Sequence, residues 1–184
     1  MEGRDACGRS SVGKGERGLT ALELMVALAI GALLASLAVP GFAALKRSAG
    51  LSSAANELLW ALHMARSSAV LRGMPVAVCL TRDDQTCLAA PDVAASGWLV
   101  YLPQGQATAT RAAPVGAVLQ RFQLPAGLAV SGTRPAVTFW PVSRAASTST
   151  FDLCDARSHG PGRSIVVSQT GRPRVAAEAA PCAG

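Results

Sequence analysis

The chain has 184 residues and a mass of 18.7 kDa, enough for one modest domain and an appendage, which excludes a large multidomain enzyme. Aromatic residues make up 4% of the sequence, and 18 Gly and 11 Pro favour short strands and turns. The formal net charge is +6, and residues 110–184 carry eight Arg against three acids. Any basic partner surface is therefore expected in the C-terminal part.

An apolar run follows a polar, glycine-rich leader at residues 1–18. It extends from Leu19 to Val39, and Glu23 is its only ionisable residue. Its 21 residues, at about 1.5 Å of helical rise each, span the ~30 Å hydrocarbon core of a bilayer. The run therefore predicts a transmembrane helix. The alternative is an ordinary secretory signal peptide, which would leave a mature N-terminus near Val39 or Ala44.

The junction between the leader and the apolar run carries a specific motif. The segment RGLTALELMV, residues 17–26, resembles the class III signal of type IV prepilins and type II secretion pseudopilins. The resemblance implies that a prepilin peptidase cuts after Gly18 and methylates Leu19, the new N-terminal residue. Because a lone carboxylate in an apolar environment needs a partner, Glu23 is expected to neutralise the new ammonium group of a neighbouring filament subunit. Other pilins or pseudopilins, the peptidase and an inner-membrane assembly platform are the implied partners.

A second apolar pattern continues beyond the membrane run with the 4, 3, 4, 3, 4 spacing of one helix face. Its members are Leu51, Ala55, Leu58, Leu62, Ala65 and Ala69. The pattern stops near Arg72 and Gly73, and Pro75 lies beyond. We expect one helix over residues 19–72, kinked near Pro40, with its second half packed on a head domain. The expected regions are the leader 1–18, a transmembrane and filament-core helix 19–45, an amphipathic continuation 46–73 and a head 74–184.

The head reads as eight short β segments separated by turn residues, a spacing that implies antiparallel sheets. The segments are Pro75–Leu80, Trp98–Leu102, Ala117–Phe122, Leu128–Ser131, Ala136–Trp140, Thr150–Leu153, Ser164–Ser168 and Pro173–Ala177. Together with the long N-terminal helix, these segments predict an α+β protein.

The four cysteines that follow the leader are an even set in a small exported domain, which indicates two disulfide bonds. Three connectivities are possible. The spacing favours Cys79 with Cys87 across a short loop, and Cys154 with Cys182 between the last strands. Buried free thiols are the alternative.

Several head segments, together with the end of the helix, resemble the GspH/FimT branch of the pilin superfamily. They are residues 53–67, 72–76, 97–101 and 164–172. The resemblance implies a type IV pilin-like fold, in which a long N-terminal helix packs on a small antiparallel head. It also implies a single-pass inner-membrane protein with its head in the periplasm.

No catalytic motif is present, because the sequence contains neither G-x-S-x-G nor H-E-x-x-H. Asp83 and Asp84 lie between two cysteines, where a side-chain-capped turn explains them better than a metal site. We therefore predict a non-enzymatic protein with no cofactor and no metal.

A short arginine motif near the C-terminus is a candidate DNA-binding element. Gly171-Arg172-Pro173-Arg174 resembles the GRxR element associated with DNA binding in FimT-type minor pilins of naturally competent bacteria. Alternate arginines of an extended segment project to one side and can contact successive phosphates, and Arg163 is expected to extend the patch. The alternative is a hairpin turn with solvated arginines.

The favoured hypothesis is a minor pilin or pseudopilin that acts in filament assembly and protein secretion. The rival hypothesis is a DNA-binding minor pilin for natural transformation. The sequence does not distinguish a type II secretion pseudopilus from a type IV pilus, because both use the same signal and helix.

Overall fold

The structure is a computed structural model that describes residues 20–89, 95–108, 111–142, 145–157, 161–177 and 182. The chain divides into two compact units, Met1–Ala43 and Ala44–Gly184. One helix, α1, extends from Ala21 to Arg72 and contributes to both units. Among the described residues, no helical stretch is both long enough and apolar enough to cross a membrane.

Both ends of α1 follow from local sequence. Thr20 caps the first turn, because its Oγ1 accepts a hydrogen bond from the Glu23 amide at 3.2 Å. The last helical residue, Arg72, is followed by Gly73 with a φ of +66°, a left-handed conformation that ends helices and favours glycine. Pro75 then prevents the helix from continuing.

The second half of α1 packs on the head along the predicted stripe. All six stripe residues are buried, as are Ala54 and Ala61 beside them. These side chains share one core cluster with the inner faces of the strands. The predicted apolar face of the helix is therefore confirmed.

The described part of the head contains eight strands, and each corresponds to one of the predicted segments. They are β1 Val76–Thr81, β2 Gly97–Pro103, β3 Val115–Gln123, β4 Leu128–Gly132, β5 Ala136–Phe139, β6 Ser149–Asp155, β7 Arg163–Val167 and β8 Pro173–Val175. The strands form two four-stranded antiparallel sheets, in the orders β3-β2-β1-β5 and β4-β6-β7-β8. The α+β class is confirmed.

Strand β1 is buried on both faces. Val76, Val78 and Leu80 join the core cluster that contains α1, whereas Ala77 and Cys79 belong to a second, smaller cluster on the outer face. The second cluster includes Tyr101, whose hydroxyl donates to the Ala113 carbonyl oxygen at 3.2 Å. Burial raises the pKa of Tyr101 to about 12, so its hydroxyl remains a donor at any physiological pH.

Candidate functional site

The predicted processing residues lie at the N-terminal end of the chain. Gly18 and Leu19 are outside the described residues. Glu23 is in the first turn of α1 and is exposed. Thr20 and Glu23 have the Thr-x-x-Glu spacing of a capping box, and a carboxylate at a helix N-terminus also interacts favourably with the helix dipole. Glu23 therefore has two candidate roles: the predicted ion pair with a neighbouring subunit, and a local role in capping α1. An experiment has to separate these two roles.

The first half of α1 exposes large apolar side chains. Eight of them are exposed for 51–73% of their surface: Leu22, Leu24, Met25, Val26, Leu28, Ile30, Leu33 and Leu34. Successive helical residues are about 100° apart, so these positions cover all sides of the helix. A helix that is apolar on all sides is one that lipid or other protein covers. The described residues of its own unit do not provide that cover.

Both disulfide bonds of the structure are those that the spacing favours. Cys79 in β1 is bonded to Cys87, and the two Cα atoms are 5.6 Å apart. Cys154 in β6 is bonded to Cys182, with a Cα separation of 5.7 Å. The second bond ties Cys182 to the second sheet beside Gly162, which precedes β7.

Arg172 and Arg174 lie on the hairpin that joins β7 to β8. Gly171 has a φ of +69°, and its amide donates to the Ser168 carbonyl oxygen at 2.9 Å, which closes the turn. Val166 is paired with Arg174, so Arg172 and Arg174 project from the outer face of the second sheet. Both side chains are exposed, and neither guanidinium has a hydrogen-bond or ion-pair partner among the described residues.

Arg163 lies on the other face of the same sheet. It is paired with Leu153, which is buried in the core, so its side chain leaves β7 on the inner face. There its Nη2 donates to the Oγ of Ser52 on α1 at 3.3 Å. The prediction that Arg163 extends the arginine patch is therefore corrected. Arg174 lies opposite Val166, and Arg163 is three positions from Val166 along β7, so the side chains of Arg163 and Arg174 lie on opposite faces of the sheet.

A third arginine near the patch was missed by the sequence reasoning. Arg134, in the turn between β4 and β5, lines a polar cavity of about 480 Å³ together with Thr133, Thr150 and Ser168. Thr150 is paired with Val166 and Val166 with Arg174, so the cavity lies beside the hairpin arginines. None of the described residues that line it is acidic. A signal was present, because Arg134-Pro135 repeats the Arg-Pro dipeptide of residues 172–173.

The carboxylate of Asp83 organises a turn. Its Oδ1 accepts hydrogen bonds from the amides of Gln85 and Thr86, at 2.9 and 2.7 Å. These two backbone bonds and a further one from the Thr86 hydroxyl hold the pKa of Asp83 well below its usual range. Within the described residues, no group of three or more His, Cys, Asp or Glu side chains is placed to hold a metal ion.

A long N-terminal helix packed on antiparallel sheets defines the type IV pilin-like class of folds. Within that class, the chain belongs to the GspH family, described as type II transport protein GspH, whose model matches residues 54–171. The predicted GspH/FimT-type resemblance is thereby confirmed. The match includes the second half of α1 and seven strands, and it contains neither the prepilin signal nor Arg172 and Arg174.

Solved structures of minor pilins are similar to the chain. The type IV minor pilin FimU of Pseudomonas aeruginosa PAO1 matches with a TM-score of 0.52 and 22% identity, over 71% of this chain and 90% of the FimU chain. The minor pseudopilin EpsH of the Vibrio cholerae type 2 secretion system matches with a TM-score of 0.47 and 12% identity, over 68% and 94%. No curated protein matches significantly. The likeness to FimU shows the fold.

Proposed function

We propose that the chain is a minor pseudopilin or pilin subunit that acts in filament assembly. In this proposal, prepilin peptidase cuts after Gly18, residues 19–45 hold the subunit in the inner membrane, and the head lies in the periplasm. The observation that carries the proposal is the exposed apolar half of α1 with a single acid, Glu23. Such a surface is stable only when lipid or sister subunits cover it.

The family and the fold support a structural role rather than a catalytic one. The family is described as a type II transport protein, which favours the type II secretion pseudopilus. FimU is a type IV minor pilin, and its similar fold keeps the type IV pilus as the other machine in which the subunit would function. In either machine the helix supplies packing, Glu23 supplies register and the head presents a partner surface.

Two substitutions at Glu23 separate its charge from its capping role. Glu23→Gln keeps a side chain that can complete the capping box but removes the charge, whereas Glu23→Ala removes both. If the ion pair sets register, both variants insert into the membrane but lose filament incorporation at least about tenfold, a difference of ~1.4 kcal/mol. Incorporation is measured by immunoblotting sheared filaments, and mass spectrometry of the native N-terminus identifies methylated Leu19. Normal incorporation of Glu23→Gln, or a retained leader, contradicts the proposal.

DNA binding is the second candidate function. The observation that favours it is the shared face of Arg172 and Arg174, both exposed and without side-chain partners among the described residues, with Arg134 nearby. Arginines so placed would contact phosphates without reading bases, and the interaction would weaken steeply with salt.

The test is a DNA titration of the full-length chain in detergent at low salt. Arg172→Ala with Arg174→Ala should weaken binding at least about tenfold and lower the salt slope by about 2, because two phosphate contacts are lost. Arg163→Ala is the control for position, since it removes one positive charge from the opposite face of the sheet, and it should lower the salt slope by less than about 0.5. Parent-like binding by the double variant, or an equal loss in the control, contradicts this function. In cells, the double variant should lose transformation and keep its filaments.

A further inference from the structure

A partly enclosed cavity lies on the outer face of the first sheet. A cavity of about 550 Å³ is formed by β5, the start of β1 and the segment after β2. The residues that matter for its chemistry are Pro75, Pro103, Gln106, Arg134, Thr138 and Trp140. Its volume is in the range of small-molecule pockets, about 300–1,000 Å³.

The lining combines one flat aromatic face with polar groups. Trp140 is 42% exposed and borders the cavity, and the two prolines add rigid apolar walls. Neither the Arg134 guanidinium nor the Gln106 amide has a side-chain hydrogen-bond or ion-pair partner among the described residues. Of the described residues that line the cavity, Arg134 alone is charged. The site therefore offers one stacking surface, several neutral hydrogen-bonding groups and one cation.

We propose that this cavity binds a saccharide that carries a carboxylate. A pyranose ring has an apolar C–H face that packs on an exposed indole, and its hydroxyls bond to amide and hydroxyl side chains. Arg134 supplies the planar, bidentate donor that a carboxylate prefers. The volume accommodates one or two sugar rings.

The structure favours a saccharide over an extended peptide. A peptide that adds a strand needs a sheet edge with unpaired backbone groups. The edge of β5 that faces away from β1 is already hydrogen-bonded to residues 145–147. The Ser147 amide donates to the Thr138 carbonyl oxygen and the Trp140 amide to that of Ala145, both at 3.1 Å. The base of a nucleotide would stack on Trp140 as well. Its phosphate, however, would have Arg134 as its one charged partner, because the other polar groups described in the lining are neutral.

The biological ligand rests on the proposed function, because only a periplasmic head meets the cell wall. A glycan strand of peptidoglycan carries N-acetylmuramic acid, an amino sugar whose carboxylate is free wherever the peptide stem has been removed from the strand. A filament that passes through the wall would contact such strands with its heads.

The experiment uses the full-length chain in detergent and isothermal titration with N-acetylmuramic acid and N-acetylglucosamine. We expect saturable binding of both sugars, with the acid bound about tenfold more tightly, or ~1.4 kcal/mol. Trp140→Ala should weaken both sugars at least about tenfold. Arg134→Gln should remove the preference for the acid and leave N-acetylglucosamine binding within about twofold. Trp60→Ala is the matched control, because Trp60 is a half-exposed tryptophan on α1 that does not line this cavity, and the variant should bind as the parent does.

Three results overturn the proposal: no saturable binding of either sugar, parent-like binding by Trp140→Ala, or binding of a nucleoside monophosphate in the absence of sugar binding. The Arg172→Ala, Arg174→Ala variant should retain sugar binding, which separates this site from the DNA hypothesis. Filament incorporation of Trp140→Ala should be normal, so that failure here and failure of the assembly role give different results.

Discussion

The two halves of α1 carry their apolar side chains in opposite ways. Between Leu22 and Leu34, eight large apolar residues are exposed for at least 51% of their surface. In the stripe from Leu51 to Ala69, no residue is exposed for more than 8%. Burying a leucine stabilises a fold by about 1.5–3 kcal/mol, so the second half gains stability from the head, whereas the described residues give the first half no such burial.

The difference lies in the pattern of residues, because the backbone is helical in both halves. In the second half, polar residues such as Asn56, His63 and Ser67 alternate with a narrow apolar stripe, and that stripe faces the sheets. In the first half, apolar residues occupy every side of the helix and Glu23 is the only charge. A periodic stripe thus specifies packing on the same chain, whereas the first half has no single apolar face that could pack in this way.

The largest effect should come from deleting a leucine of the buried stripe. Leu58→Ala removes three carbon atoms from a fully buried position and should lower the free energy of unfolding by about 3 kcal/mol. Leu28→Ala, the matched change on the exposed half, should alter it by less than ~0.5 kcal/mol. Urea titration of the detergent-solubilised chain, followed by tryptophan fluorescence, measures both. Equal effects of the two substitutions would erase the distinction between the halves.

Replacing an alanine of α1 by leucine should also destabilise the head in the second half of the helix and have little effect in the first half. Ala61 is fully buried where α1 meets the head, so Ala61→Leu overpacks that contact and should cost about 2 kcal/mol of unfolding free energy. Ala27 is exposed, and Ala27→Leu should leave head stability within ~0.5 kcal/mol of the parent. The same urea titration applies. An unchanged midpoint for Ala61→Leu would mean that the head tolerates a displaced helix.

Local patterns predicted the elements of this fold, but not the way in which the strands divide between sheets. The eight strands and the end of α1 follow from alternation, turn residues and the glycine at position 73. Strands β4 and β5 are consecutive, yet they belong to different sheets, and β5 pairs with β1 about 60 residues earlier. That division depends on contacts between distant segments, which no local pattern encodes.

The candidate site shows the same limit. Arg172 and Arg174 were predictable from one short motif, because neighbouring alternate residues share a face whatever the sheet order. Arg134 and Trp140 were not, since only the folded sheets bring them beside other groups. Arg163 was misplaced because its face relative to Arg174 depends on the register between β7 and β8, in which Val166 is the residue opposite Arg174.

The smallest effect should come from the outward side of the second half of α1. Trp60 is 54% exposed, but its ring contacts Phe122 edge-on at a centroid distance of 5.6 Å, and Phe122 stacks on buried Trp98 at 5.8 Å. Trp60→Ala should therefore cost about 1 kcal/mol of unfolding free energy, the value of one aromatic pair. Leu71→Ala, at a position 86% exposed, is the control and should have no measurable effect in the same titration. If Trp60→Ala lowered the free energy of unfolding as much as Leu58→Ala, the outward side of the second half would also contribute core packing. The apolar surface of the second half would then not be limited to one stripe.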